Sequence, residues 1–271
     1  MLFILLLLSG LIAGIIAGIF GLGGGILFTP ILYYLFITSG VTNPAIWAIA
    51  TSLLCTFIAS TGSSIQQGFN KNAFLKEGVV VGVTGSAGVY IGKKWVMSNY
   101  FTEELFVILF SMILFMVALL FFYRSHNRKL TPEDETEGEL TAVKSVISGT
   151  SGGFVASIAG VGGGIVLVPM MNLIYRLKLS KAISISSLAI VLISFSGWFQ
   201  YAFLSGEQSG LTSFTIGYVD FGTALPLIIG AFSGGFAGVR VGLYLTARVT
   251  QILFGTLILI IVFSMIRTLI V

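Results

Sequence analysis

Apolar positions in this chain neither alternate with polar ones nor recur on a single helical face; they run together in blocks long enough to cross a bilayer. Residues 2 to 20 are almost wholly apolar, enough for a helix of about 28 Å at ~1.5 Å per residue against a hydrocarbon layer of ~30 Å. A glycine-rich break follows at 21 to 25, and residues 26 to 37 then stay apolar for only about 18 Å of helix, too short to span easily. The first unit therefore reads as a hairpin over 2–37, re-entrant or with two tilted arms, turning at its glycines. Thr38 to Pro44 is a neutral loop carrying the Ser-Gly and Asn-Pro turn signals. Spanning helices are predicted at 45–67, 78–97 and 101–123. The plan then recurs, with a hairpin at 143–175 and spanning helices at 182–204, 219–241 and 247–271.

The recurrence is visible residue by residue. G-I-F-G-L-G-G-G-I-L-F-T-P from Gly18 to Pro30 returns as S-I-A-G-V-G-G-G-I-V-L-V-P from Ser157 to Pro169. At one constant spacing Gly21, Gly23, Gly24, Gly25 and Pro30 fall on Gly160, Gly162, Gly163, Gly164 and Pro169. Thr51-Ser52-Leu53 matches Ser186-Ser187-Leu188, Gly62 matches Gly197, and G-V-Y-I-G-K-K ending at Lys94 matches G-G-F-A-G-V-R ending at Arg240. The last pair are G-x-x-x-G patterns, which let helices approach closely. The glycine runs cannot continue an ordinary helix cheaply, at roughly 1 kcal/mol per Gly relative to Ala. Inside a bilayer such a break must be enclosed by protein or line a cavity, because lipid offers its backbone no partner.

Loop charges add direction. Lys and Arg accumulate on the cytoplasmic side of membrane proteins. The loop after helix 45–67 carries Lys71 and Lys76, whereas its counterpart in the second half carries Glu207 and Asp220. The loop after the first hairpin is neutral, whereas its counterpart holds Arg176, Lys178 and Lys181. The bias inverts between the halves. The predicted fold is thus an all-α membrane protein of two inverted-topology repeats, each a Gly-broken helical hairpin plus three transmembrane helices. Residues 1–123 form the first repeat, 124–142 a cytoplasmic linker and 143–271 the second repeat, with both termini external. Inverted repeats are a recurrent architecture of secondary transporters.

Composition agrees and narrows the chemistry. Of 271 residues, 56% are hydrophobic and 9% charged, and the mean hydropathy is +1.05, against about 25% charged in a globular domain. The net charge of +4 follows topology and does not point to nucleic acid. The amino terminus lacks a basic segment before its apolar run and a small-residue cleavage site after it, so it reads as a retained membrane segment. Cys55 is the single cysteine and His126 the single histidine, lying beside Arg124 and Arg128 in the linker. No metal cluster, cofactor motif or nucleophile with its base is visible. No G-K-[ST] follows the glycines, which excludes a P-loop reading.

An anion is the solute that the glycine runs favour. A helix beginning in mid-membrane presents its first free N–H groups and the positive end of its dipole to whatever lies ahead. The second arms begin at Gly25 and Gly164, and two such ends meeting would form a site from neutral dipoles. Further donors are Ser52, Thr56, Ser60, Ser63 and Gln67, a polar stripe whose other reading is helix packing, and the sparser Ser187, Ser194, Ser196 and Gln200 of the second half. Asn172, one turn past Pro169, is a candidate donor, with Tyr33 at the equivalent place. Lys94 and Arg240 are candidate anion contacts, against a reading as membrane-edge residues. Glu77 and Asp220, at helix entrances taken as equivalent, are candidate coupling residues or simple edge charges.

The paired G-x-G-G-G-x5-P hairpins, the T/S-S-L segments and the G-x-x-x-G-x-[KR] segments resemble the sulfite exporter TauE/SafE family of bacterial membrane permeases. The resemblance covers nearly the whole chain. It implies transport of a small sulfur-containing anion, such as sulfite, sulfoacetate or another organosulfonate, across the bacterial inner membrane. The expected partners are that anion, the lipid bilayer and, left open, a coupling ion and further copies of the chain. The contrasting reading is a membrane-embedded accessory or scaffold protein without transport activity, or a permease for a different small solute.

Overall fold

The computed structural model describes residues 2–20, 24–69, 74–126, 140–204, 210–242 and 247–268. They form helices α1 (Leu2–Phe20), α2 (Gly25–Thr38), α3 (Pro44–Phe69), α4 (Leu75–Val96), α5 (Glu103–His126), α6 (Ala142–Ala159), α7 (Gly164–Pro169), α8 (Leu179–Ala202), α9 (Phe221–Gly242) and α10 (Ala247–Arg267). A π-helical turn, Met170–Ile174, continues α7. The described residues also include a pair of two-residue strands, β1 (Thr215–Ile216) and β2 (Val219–Asp220), antiparallel with Thr215 opposite Asp220. The helix expected to begin at 219 therefore begins at Phe221, because 219–220 pair with 215–216 across a turn at Gly217 (φ 56°).

Among the described residues, three helical stretches are long and apolar enough to cross a membrane: Pro44–Gly62, Glu103–Leu120 and Lys181–Ala202. Shorter apolar helices cover Leu2–Ile16, Gly25–Thr38, Phe221–Gly235 and Gly255–Arg267. The core lies where α3 meets α8, and Trp47, Ala48, Ile49, Leu53, Ile190 and Ile193 are fully buried there. Phe57 packs on Phe195 and Trp198, with ring centroids 5.5 and 6.3 Å apart.

Glycine governs the closest approaches. On α1, a Cβ at Gly10 or Gly14 would collide with the backbone of Leu227 or Ala231, and on α9 one at Gly230, Gly234 or Gly238 would collide with that of Leu7, Leu11 or Ile15. Both registers climb together, so α1 and α9 run parallel. α4 and α6 form a second such pair, with Gly88 on Thr150, Gly92 on Phe154 and Gly153 on Gly85. α4 also runs parallel to α8, with Gly78 on Leu188 and Gly82 on Leu192. The G-x-x-x-G faces thus pack within the chain, backbone on backbone, where van der Waals contact replaces the hydrophobic drive that lipid removes.

Five residues separate α3 from α4, a reach of roughly 20 Å at ~3.5 Å per residue, while both helices flank the same stretch of α8. They therefore run antiparallel. The starts of α4, α6 and α8 lie at one end of the bundle, with Lys181 Nζ 5.1 Å from the Phe74 ring and Lys144 Nζ 5.3 Å from the Tyr175 ring. α3, α5 and α9 start at the opposite end. There both carboxylate oxygens of Glu103 accept the Ala45 N–H at 3.2 Å, the Asp220 N–H donates to Thr51 Oγ1 at 3.1 Å, and Trp47 and Tyr218 lie 5.4 Å apart.

The neighbouring Gly234 and Gly235 separate packing from propensity. A Cβ at Gly234 meets the Leu11 backbone, whereas one at Gly235 meets nothing within 4 Å. Gly234→Ala is expected to lower stability by about 1–3 kcal/mol, the range for overpacking. Gly235→Ala should be neutral or stabilising by up to about 1 kcal/mol through helix propensity. Thermal unfolding of the purified protein in detergent checks both.

Candidate functional site

The two glycine runs come together at the centre of the bundle. Gly21 and Gly23 lie outside the described residues. Gly24, in the left-handed region at φ 75°, precedes α2, whose first residue is Gly25. In the second half Gly160, Gly162 and Gly163 all have positive φ, at 70°, 69° and 82°, and Gly164 opens α7. An L-residue pays about 1–2 kcal/mol for that conformation. The positions are also crowded. A Cβ on Gly25 would lie 2.7 Å from Val161 Cα and from Thr56 Oγ1, and one on Gly160 would lie 2.6 Å from Thr29 Oγ1.

A hydroxyl chain ties the breaks to each other. Thr29 on α2 donates to Ser52 Oγ at 2.9 Å, and Ser52 on α3 donates to the Gly160 carbonyl at 2.9 Å. Thr29 Oγ1 also lies 3.2 Å from the Gly25 carbonyl. Tyr201 on α8 donates to the Ser157 carbonyl at 2.9 Å, just before the second break. Ser52 is thus a strut between the halves, and its proton is committed. The carbonyl of a broken helix end is satisfied here by a side chain, as burial demands.

Among the described hydroxyls bordering the breaks, two are not committed. Thr56 on α3 and Ser194 on α8 are each fully buried, and neither Oγ has a hydrogen-bond partner. Both border Gly162, where a Cβ would lie 2.6 Å from Thr56 Cγ2 and 2.8 Å from Ser194 Oγ. Thr56 Oγ1 faces Gly25 as well, so this side chain stands between the two breaks. The polar stripes on α3 and α8 contained both residues, but spacing alone did not separate them from their neighbours. The distinction is that Ser60 donates to Phe57 O at 3.1 Å, Ser187 to Ile183 O at 2.8 Å, and Gln200 to Ser196 Oγ at 2.8 Å. Ser63 and Gln67 have side chains outside the described set.

The remaining candidates lie elsewhere. The Asn172 amide donates to Leu177 O at 2.7 Å, bracing the turn before α8. Tyr33 donates to Glu103. Lys94 is exposed in the last turn of α4, its Nζ 4.8 Å from the Tyr90 ring, and the Arg240 side chain lies outside the described set. Glu77 is half-buried in the first turn of α4.

The reading of Asp220 as a helix-edge charge is corrected. It is fully buried, and its carboxylate accepts the Thr212 and Thr223 N–H groups, each at 3.0 Å, so that it caps α9. An Asp at this position satisfies one of the four donors a helix start leaves open. Nor is it equivalent to Glu77. At the spacing that superposes Gly88 on Gly234, Asp220 falls on Phe74, the residue that precedes α4.

Ser52 and Ser187 occupy matching sequence positions but differ in what they hold. Ser52→Ala is expected to cost about 1–3 kcal/mol by leaving the buried Gly160 carbonyl without its donor, Thr29 keeping only the Gly25 carbonyl. Ser187→Ala, which removes only a bond back to its own helix, should stay within about 1 kcal/mol. Chemical or thermal unfolding of the two variants side by side measures the difference.

Comparison with known proteins bears on this geometry. A probable membrane transporter protein of Methanocaldococcus jannaschii is 27% identical over 255 residues, covering 94% of this chain and 91% of the relative. A probable membrane transporter protein of Bacillus subtilis is 26% identical over 255 residues, covering 88% of each. One of Xylella fastidiosa is 26% identical over 245 residues, covering 88% of this chain and 84% of the relative. No solved structure matches the chain. The family model for sulfite exporter TauE/SafE matches residues 6–265, and the chain belongs to that family.

Proposed function

We propose that this membrane permease moves a small sulfur-containing oxyanion, sulfite or an organosulfonate, by alternating access around the paired glycine breaks. The observation that carries the reading is the meeting of Gly25 with Val161, flanked by Thr56 and Ser194, whose buried hydroxyls have no partner. The leading N–H groups of α2 have no carbonyl within the helix to donate to. Together these are neutral donors facing one buried point, which is what a desolvated anion needs in place of water. The family description supplies the class of solute, and the relatives' names support a membrane transporter. An interior-negative potential favours efflux of an anion by about 2.3 kcal/mol per charge per 100 mV, so export is the proposed direction, across the cytoplasmic membrane.

The proposed framework is a pair of inverted repeats. Supporting it, α1 packs with α9 as α6 packs with α4, and α3 with α8 as α5 with α10. That exchange of partners is what a two-fold axis between the halves would generate. The α3–α8 register is further support: Leu53 meets Gly197 and Phe57 meets Phe195, so one number rises as the other falls. Lys76, Lys144, Lys178 and Lys181 gather at the end opposite Glu103 and Asp220, as a cytoplasmic end would require. A scaffold without transport activity has no use for two enclosed helix breaks lined by idle hydroxyls.

Flux into proteoliposomes of radiolabelled sulfite and sulfoacetate is expected above that of protein-free vesicles, and to fall at least tenfold in Gly162→Leu. Flux confined to a cation or an amino acid would overturn the anion reading. The topology has its own check, because Cys55, the single native cysteine, is buried. Thr42→Cys and Lys178→Cys lie in the exposed loops after the two hairpins. In intact cells an impermeant maleimide is expected to label the first and spare the second. Labelling of both from the same side would refute the inversion.

A further inference from the structure

We propose that Thr56 and Ser194 are the specificity-determining donors of the transport site, and that the site takes a singly charged oxyanion, such as hydrogensulfite or a sulfonate, in preference to a dianion. The inference rests on the oxyanion reading above and names which ionic form that reading selects.

Three observations carry it. First, Thr56 and Ser194 come from facing helices, α3 and α8, and both hydroxyls are fully buried without a partner, that of Thr56 beside Gly25, with its methyl toward Gly162, and that of Ser194 beside Gly162. A buried hydroxyl left unpaired is unfavourable, so one at each break, each from a different half of the chain, marks groups held ready for something absent from the protein itself. Secondly, Thr56 Oγ1 faces Gly25, the first residue of the 14-residue helix α2. The leading Gly25 and Ile26 N–H groups have no carbonyl within the helix to donate to. The donors available where the breaks meet are therefore neutral hydroxyls and amides.

Thirdly, no charged side chain is among the described residues touching this space. Thr29 and Ser52 hold the breaks together, and Ile190 closes the α8 side. The titratable groups facing it from the packed helices are Cys55 on α3, buried; Tyr201 on α8, donating to Ser157 O; and Asp220 before α9, whose carboxylate is held by Thr212 and Thr223. Asp220 meets α3 through its backbone N–H, which donates to Thr51 Oγ1, while its carboxylate is turned to Thr212 and Thr223. The cost of taking an ion out of water grows with the square of its charge, so a dianion loses roughly four times the hydration of a monoanion. Neutral donors without a compensating cation suit the single charge.

Sulfite separates the forms conveniently, because its second ionisation lies near neutral pH, whereas methanesulfonate keeps one charge throughout. In proteoliposomes, with the flux into protein-free vesicles subtracted, wild-type uptake of radiolabelled sulfite at fixed total concentration is expected to fall as pH rises. Above that ionisation the fall should approach tenfold per pH unit. Methanesulfonate uptake should not change, which also shows that no protein group is titrating. Thr56→Val and Ser194→Ala should each raise the KM for methanesulfonate about tenfold or more. The same variants should unfold at the same or a higher temperature, since each removes an unpaired buried polar group. A sulfite flux indifferent to pH, or an unchanged KM in either variant, overturns this inference and leaves the oxyanion reading intact. Absence of wild-type flux for either anion overturns the oxyanion reading and this inference together.

Discussion

The structure depends on how two breaks in the helical backbone are kept out of lipid. A helix interrupted in a bilayer exposes carbonyl and amide groups that hydrocarbon cannot solvate. Here the breaks are placed against one another, so each shields the other. Gly25 lies on the Val161 backbone, and the Gly160 carbonyl accepts from Ser52, which in turn accepts from Thr29. The centre is a contact between two irregular backbones braced by the long helices α3 and α8. Removal of one break would strand the polar groups of the other.

The surrounding helices make that arrangement rigid. α1 with α9 and α4 with α6 are parallel pairs in tight glycine-mediated contact, and α8 is drawn onto α4 through Gly78 and Gly82. Such pairs have little room for sliding, because a shift of one residue brings a side chain against a carbonyl. In each pair the partners come from different halves of the chain, so the halves are interlocked and do not sit side by side as independent bundles. Capping residues finish the ends: Glu103 holds the start of α3 and Asp220 the start of α9. On the proposed reading, the motion of alternating access would run between the interlocked pairs, at the central contact.

A contact braced by some hydroxyls and bordered by others has two chemical levels. Ser52 and Thr29 are spent on the protein's own backbone, and Thr56 and Ser194 are not. That difference is not legible from residue type, since all four are small hydroxyl residues on apolar helices, and on the proposed reading it separates structure from recognition. Neutral donors also suit a carrier. They replace part of a solute's hydration without the long-lived ion pair that a lysine or arginine at the centre would form, and a transported ion has to leave.

The sequence by itself determined the membrane class, the helix blocks and the location of the breaks. Each depends on local composition: apolar length sets whether a helix can span, and glycine clusters cannot propagate one. The doubled motif also pointed to Gly25 and Gly160 as parts of one centre, and the G-x-x-x-G runs to close packing. Only the tertiary structure decided which hydroxyls are idle, because Ser52, Thr56, Ser187 and Ser194 look alike in a stripe and differ only in what stands opposite them. It likewise decided that Asp220 is a buried cap, not an edge charge, through a two-residue strand pair and Thr212, features too short and too dependent on folding back onto α8 to leave a periodic trace. Local sequence sets what a segment can form; the partner of a buried polar atom can be set by a residue more than a hundred positions away, as Ser52 and Gly160 are.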